Sequence, residues 1–229
     1  MPPRPDPSSL LAAPVRTPEL RAYSARERAL IARLRTPRQV QRFLREMPYN
    51  WESTLRSFRG AVAVGRAHCL EAVFFTAAVL EHHGFPPVVL DLESDDGLDH
   101  VLFLFRERGR WGTVARSRDY GLHGRSPVFA TIPALVRSYM DAYVDGTGRL
   151  NGYGVAQLDL LTRADWRRST RSVWAVERAL IDMPHYPLPM GEARYARALR
   201  RFTAFKASGS PSTRATMRAL YGAQVRPWW

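Results

Sequence analysis

Thiols and lysine are nearly absent from this chain. Its 229 residues hold one cysteine, Cys69, and one lysine, Lys206. A single thiol excludes an intrachain disulfide and any multi-cysteine zinc site. The six histidines offer no His-Glu-x-x-His spacing, so no metal is expected. No apolar run approaches the ~20 residues that a membrane-spanning helix needs. The opening stretch, Met1 to Arg16, contains only a short Leu-Leu-Ala-Ala-Pro-Val run, too short for the apolar core of a signal peptide. A soluble, cytoplasmic protein with no membrane partner is expected. There is no internal repeat and no low-complexity linker.

Arginine, by contrast, is abundant. It supplies 33 of the 34 basic residues against 21 acidic ones, a formal charge of +13. Such a charge attracts polyanions. The arginines are scattered from Arg4 to Arg226, however, and no helix-turn-helix, zinc-finger or RNA-recognition pattern accompanies them. Specific nucleic-acid binding is therefore not expected. With 45% hydrophobic residues the chain can bury a core of its own.

The Pro-rich stretch 1–16 reads as a flexible arm, followed by one domain over 17–229. Thr17-Pro18 and Thr36-Pro37 are helix-start signals, predicting helices to about Leu34 and Met47. From His68 to His83 apolar residues recur at helical spacing and also fill the other side, which marks a buried helix. Gly84 and Pro86 end it. Strands are expected over Pro87–Leu92, Asp99–Arg106 and Trp111–Arg116, the second apolar on both faces and hence central. Asn151-Gly152-Tyr153-Gly154 reads as a turn, as does Asp145-Gly146-Thr147-Gly148. Helices are expected over Ile132–Val144, Arg171–Ile181, Glu192–Phe205 and Thr213–Tyr221. The fold class is α+β: a buried Cys-bearing helix packed on a small antiparallel sheet, with helices before and after it.

Cys69 falls at the start of the buried helix, where backbone amides favour a thiolate and can receive an oxyanion. His100 opens the central strand and is the natural base for such a thiol. Glu71, two positions beyond Cys69, faces away and suits the helix dipole. Asn50-Trp51 is a candidate second oxyanion donor.

Gly65-Arg66-Ala67-His68-Cys69-Leu70-Glu71-Ala72, the helix ending at Gly84-Phe85-Pro86, Asp99-His100-Val101 and Gly109-Arg110-Trp111 together resemble the core of the transglutaminase-like superfamily, over about residues 50–130. Trp111 to Phe129, Ser138-Tyr139 and Tyr143 resemble its uncharacterised bacterial members. The resemblance implies a papain-like core with a helical extension over about 131–229. It also implies a cysteine nucleophile at Cys69 with His100 as base. The implied chemistry is thiol-dependent acyl transfer on a peptide, a protein or a small amide or ester, to water or to an amine, with no cofactor. The superfamily's usual Asp, four residues after the Trp, is here Ala115. Strand parity offers Ser117 as a neutral substitute that orients the imidazole. Trp111 and Arg125 are the substrate-binding candidates, Trp111 as a groove wall and Arg125 as a carboxylate ligand. Loss of the Asp also admits a second reading, a catalytically weak or inactive binding or scaffold module.

Overall fold

Capping chemistry sets where the first helices begin. The computed structural model describes residues 7–144 and 146–229. Pro7–Ala12 forms α1. The helix expected from Pro18 starts later, at Ala25–Arg33 (α2), because Ser24 and Glu27 form a reciprocal capping box there. Leu20–Ala22 makes only a 3₁₀ turn. Thr36 and Gln39 form a second box and open α3, Pro37–Glu46, as expected. Phe58–Val64 is α4, in a stretch where Gly60 and Gly65 obscure the pattern. Cys69–Leu80 is α5, buried at every position after Cys69.

Strands and further helices follow α5 along the chain. They are β1 (Val88–Ser94), β2 (His100–Glu107), β3 (Arg110–Val114), β4 (Arg125–Phe129), α6 (Ile132–Tyr143), β5 (Leu150–Gln157), α7 (Leu158–Leu161), α8 (Trp174–Asp182), β6 (Tyr186–Pro187), α9 (Glu192–Ala207) and α10 (Arg214–Tyr221). The six strands form one sheet in the order β4-β3-β2-β1-β5-β6. Every neighbouring pair is antiparallel.

Both faces of the sheet are covered, which explains why β1 and β2 are apolar on both sides. Val89, Val101, Phe103, Phe105 and Val114 pack under α2, α3, α4, α5 and α8. Val88, Leu90, Leu92, Leu102, Leu104 and Trp111 pack under α6 and α9. The molecule is thus a mixed α+β fold, a sheet between two helical layers. A third apolar cluster joins α10 to Val225 and Trp228. Among the described residues no helix is long and apolar enough to cross a membrane.

Two readings change. The stretch expected as a loose arm is anchored from Pro7 on. Gln157 donates its side-chain amide to the Leu10 and Ala13 carbonyls, and the Arg16 N–H donates to Asp159. Residues 1–6 of that arm lie outside the described residues, as does Asp145 of the turn expected at 145–148. Residues 151–154, expected as a turn, lie inside β5, a full partner of β1. The glycines there admit side chains that lie across the strand. A Cβ on Gly152 would fall 2.2 Å from the Glu93 carboxylate, and one on Gly154 would fall 3.1 Å from the His185 ring.

Gly124 is the tightest backbone approach near the β3–β4 connection. A Cβ there would sit 2.3 Å from the Thr113 carbonyl oxygen and from the Gln41 side-chain oxygen. The Thr113 oxygen is backbone and cannot rotate away. Gly124→Ala is expected to cost about 3 kcal/mol, lowering the Tm by roughly 10 °C in a thermal melt. An unchanged Tm would show that the connection shifts freely.

Candidate active site

The start of α5 is held by a carboxylate rather than a capping hydroxyl. Glu71 is fully buried. It accepts from the His68 N–H at 3.1 Å, the Arg56 N–H at 2.8 Å and the Asn50 side-chain amide at 2.9 Å. These bonds tie the segment before α5 across the helix N-terminus. Asn50 is therefore engaged with Glu71 and Thr54, not aimed at an oxyanion. Trp51 stands exposed, edge-on to Tyr49.

Cys69 is half-buried at this helix start. The N–H groups of Leu70, Val101 and Cys69 itself interact with its sulfur and favour the thiolate. Burial opposes them and prevails. It pushes the thiol up to about 11, and the nearby Asp91 carboxylate adds to the rise. The lowered thiol expected from helix position alone is overturned, because the cost of stripping water from a thiolate exceeds what three amides return.

His100 lies in the wall of the same cavity, a space of about 300 Å³ between the sheet end and the C-terminal helices. Its Nε2–H donates to the Leu122 carbonyl at 2.9 Å. The other ring nitrogen, Nδ1, is left as the basic lone pair. Burial, helped by the Arg125 charge, lowers the imidazole to about 4 against the Leu122 bond. No hydrogen bond joins Cys69 and His100 among the described residues. Strand alternation explains the offset. Val101, Phe103 and Phe105 face α5, whereas His100 shares its parity with Leu102 and Leu104, which face α6. The two functional groups meet at the sheet end, in one cavity, not face to face across the helix.

Ser117 also lines this cavity, but it does not orient the imidazole. Its Oγ accepts from the Asp119 N–H at 3.2 Å. The orienting acceptor is the Leu122 carbonyl, in the 3₁₀ turn Tyr120–Leu122. Arg125, expected as a carboxylate ligand, is fully buried and away from the cavity. Its guanidinium donates to the Gly121 carbonyl at 2.7 Å and the His123 carbonyl at 2.7 Å, bracketing Leu122. It donates further to Ser138 Oγ and to the Ser138 carbonyl. With its donors on internal oxygens, Arg125 is a positioning residue for His100. Trp111, expected as a groove wall, is on the α6 side of β3 and packs in the core there. An odd position in β3 places it across the sheet from α5.

Three side chains near the site were not among the candidates. Asp91, in register with Val101, is buried on the α5 face and accepts from His185 Nε2 at 3.2 Å. Its other oxygen, Oδ1, is buried without a hydrogen-bond partner among the described residues. Burial raises the Asp91 carboxyl and the Asp91 bond raises the His185 imidazole. A carboxylate inside the apolar run Val-Val-Leu-Asp-Leu was the available signal. Tyr49 lines the cavity beside Cys69, and its phenol is pushed up to about 12 by burial and by the Cys69 charge, so it is a neutral donor at pH 7. Among the described residues no three His, Cys, Asp or Glu side chains converge in a metal-binding arrangement.

Comparison with known proteins gives no family model that matches this chain and no curated protein that matches it.

Removing the Arg125 guanidinium would take its bonds from the Gly121 and Ser138 carbonyls and leave the His123 carbonyl to the Tyr139 hydroxyl. Arg125→Met is expected to destabilise the protein by about 3–5 kcal/mol in denaturant unfolding. It is also expected to change the His100 tautomer from Nε2–H to a mixture, read from histidine ¹⁵N shifts. An unaltered tautomer in folded Arg125→Met would show that Leu122 needs no such support.

Proposed function

We propose that the protein is a thiol-dependent acyl transferase or hydrolase acting on an amide or ester, with Cys69 as nucleophile and His100 as general base. This reading includes membership of the transglutaminase-like superfamily. One observation carries it: the Leu122 carbonyl fixes the His100 proton on Nε2, so Nδ1 is the basic atom in the cavity that Cys69 shares. A backbone carbonyl thereby does what the superfamily's Asp does, without adding a charge.

With thiol and imidazole both neutral at pH 7, the chemistry runs by general-base catalysis rather than from a resting ion pair. Apo separation of the two groups is compatible with this, since such contacts tighten on substrate binding. As the sulfur attacks the carbonyl carbon, the thiol proton passes to His100 Nδ1. The oxyanion is received by donors available at the site, the N–H groups at the α5 N-terminus and the Tyr49 hydroxyl. Collapse breaks the bond to the amine or alkoxide, which leaves with the proton from the imidazolium. The resulting thioester is attacked by water or an amine. That attacker gives its proton to His100, and the departing sulfur recovers it.

A second reading, a binding module without turnover, is favoured by one specific feature. The Arg125 charge and burial both oppose the imidazolium that catalysis must form.

The sole thiol makes the test direct. Alkylation of native Cys69, read by intact mass, is expected to rise about tenfold per pH unit through pH 9. At pH 7 it should be about three-hundredfold slower than for an unperturbed thiol, which has half its thiolate near ~8.5. Cys69→Ala is expected to abolish turnover across an amide and ester panel. Turnover equal to wild type in Cys69→Ala would overturn the proposal. A fast alkylation plateau at pH 6 would overturn the neutral-pair mechanism.

A further inference from the structure

The chemistry of the cavity wall says what kind of acyl group it accepts. One end holds Cys69 and His100. The other is built by the C-terminal half of the chain, Phe202 and Phe205 from α9 and Met217 and Tyr221 from α10, while Tyr143 of α6 lies near enough to Cys69 to feel its charge. This end is continuous with the apolar cluster formed by Met217, Tyr221, Val225 and Trp228.

Tyr143 and Tyr221 present rings rather than free hydroxyls. The Tyr221 hydroxyl donates to the Asp141 carbonyl at 3.2 Å. The Tyr143 hydroxyl is engaged with Ser94. Two serines in the wall each accept one backbone bond, Ser212 Oγ from the Tyr120 N–H and Ser117 Oγ from the Asp119 N–H. Of the charged groups in the wall, Asp99 accepts from the Ser94 N–H. Arg118 and Asp119 are paired at 3.8 Å and partly or largely exposed. At the α9–α10 end the wall is mostly aromatic rings and a thioether, against which an apolar chain would bury itself.

We infer that the acyl group delivered to Cys69 is apolar, a phenylalkyl or medium alkyl chain lying between α6, α9 and α10. The inference rests on the acyl-transfer reading and narrows its substrate class. The volume agrees: about 300 Å³ is roughly twice the ~150 Å³ cavity that holds a benzene, so a chain of about six to eight carbons fits. The amide or ester group then lies at the sheet end, beside Cys69, and the leaving group points toward the exposed Arg118 and Trp51.

The test separates the cavity's preference from catalysis. Methyl, hexyl, 2-phenylethyl and 2-sulfonatoethyl methanethiosulfonates modify Cys69 without turnover, and intact mass gives each rate relative to a free thiol. Hexyl and phenylethyl reagents are expected to exceed methyl by at least tenfold, since each buried methylene contributes about fourfold. The sulfonate is expected to be the slowest. Met217→Glu, which sets a carboxylate in the far wall, is expected to erase the apolar advantage. If that variant fails to fold, Phe205→Ser, at a half-buried position, is expected to reduce it at least threefold. Equal relative rates for all four reagents, or a fastest sulfonate, would overturn the inference. So would an advantage that survives in folded variants of both positions. An apolar preference without any ester turnover would leave this cavity's ligand class standing and remove the acyl-transfer reading. Turnover that favours acetyl over 3-phenylpropionyl esters would do the reverse.

Discussion

A buried, unpaired cation organises this site. Among the described residues Arg125 has no carboxylate partner, and a charge in such surroundings costs several kcal/mol. Two aromatic faces offset that cost, Tyr139 at 3.8 Å and Trp228 at 4.0 Å from the guanidinium carbon. Internal carbonyl oxygens supply the hydrogen bonds. Burial lowers the guanidinium to about 10, so it remains charged at pH 7. The consequence reaches the cavity through geometry. Gly121 and His123 are both held by Arg125, so the Leu122 carbonyl between them is fixed, and with it the His100 ring. Position and charge act in opposite senses, since the same cation that orients the imidazole disfavours its protonation.

The same competition recurs at Cys69, and magnitudes decide it. Helix-terminal amides lower a thiol, but here burial and the Asp91 carboxylate outweigh them. Thiol and imidazole are both held in their neutral forms by desolvation. A site of this kind keeps little thiolate at rest. Its reactivity depends on a proton moving as the sulfur attacks, with donors and a base placed beforehand. A low resting thiolate population also protects a lone thiol from oxidation and stray alkylation.

Much of the frame was legible in the residues. An apolar surface all round marked α5 as buried, and two apolar faces marked β2 as central. Thr36-Pro37 and the spacing of Val40, Phe43 and Leu44 announced α3. Other parts were hidden for identifiable reasons. Gly152 and Gly154 gave β5 the look of a turn, because their lack of side chains serves Glu93 and His185, which are distant in sequence. Parity grouped Trp111 with Ser117, but β3 ends at Val114 before Ser117, and parity does not say which face of a sheet a helix will cover. The Leu122 acceptor is a backbone carbonyl, which no side-chain pattern announces. Arg125 is one of 33 arginines, and its burial depends on Tyr139 and Trp228, which converge on it only after folding.

The claim at the centre is that His100 acts as base for acylation of Cys69. Its most direct measurement is single-turnover acylation by an activated 3-phenylpropionyl ester at pH 7.5, followed by intact mass in wild type, His100→Ala and Cys69→Ala. The expected result is one acyl group on wild type, none on Cys69→Ala, and at least a hundredfold slower acylation of His100→Ala. Alkylation of His100→Ala at pH 10, where the base is not needed, should stay within about threefold of wild type. Acylation of His100→Ala at the wild-type rate would contradict the account.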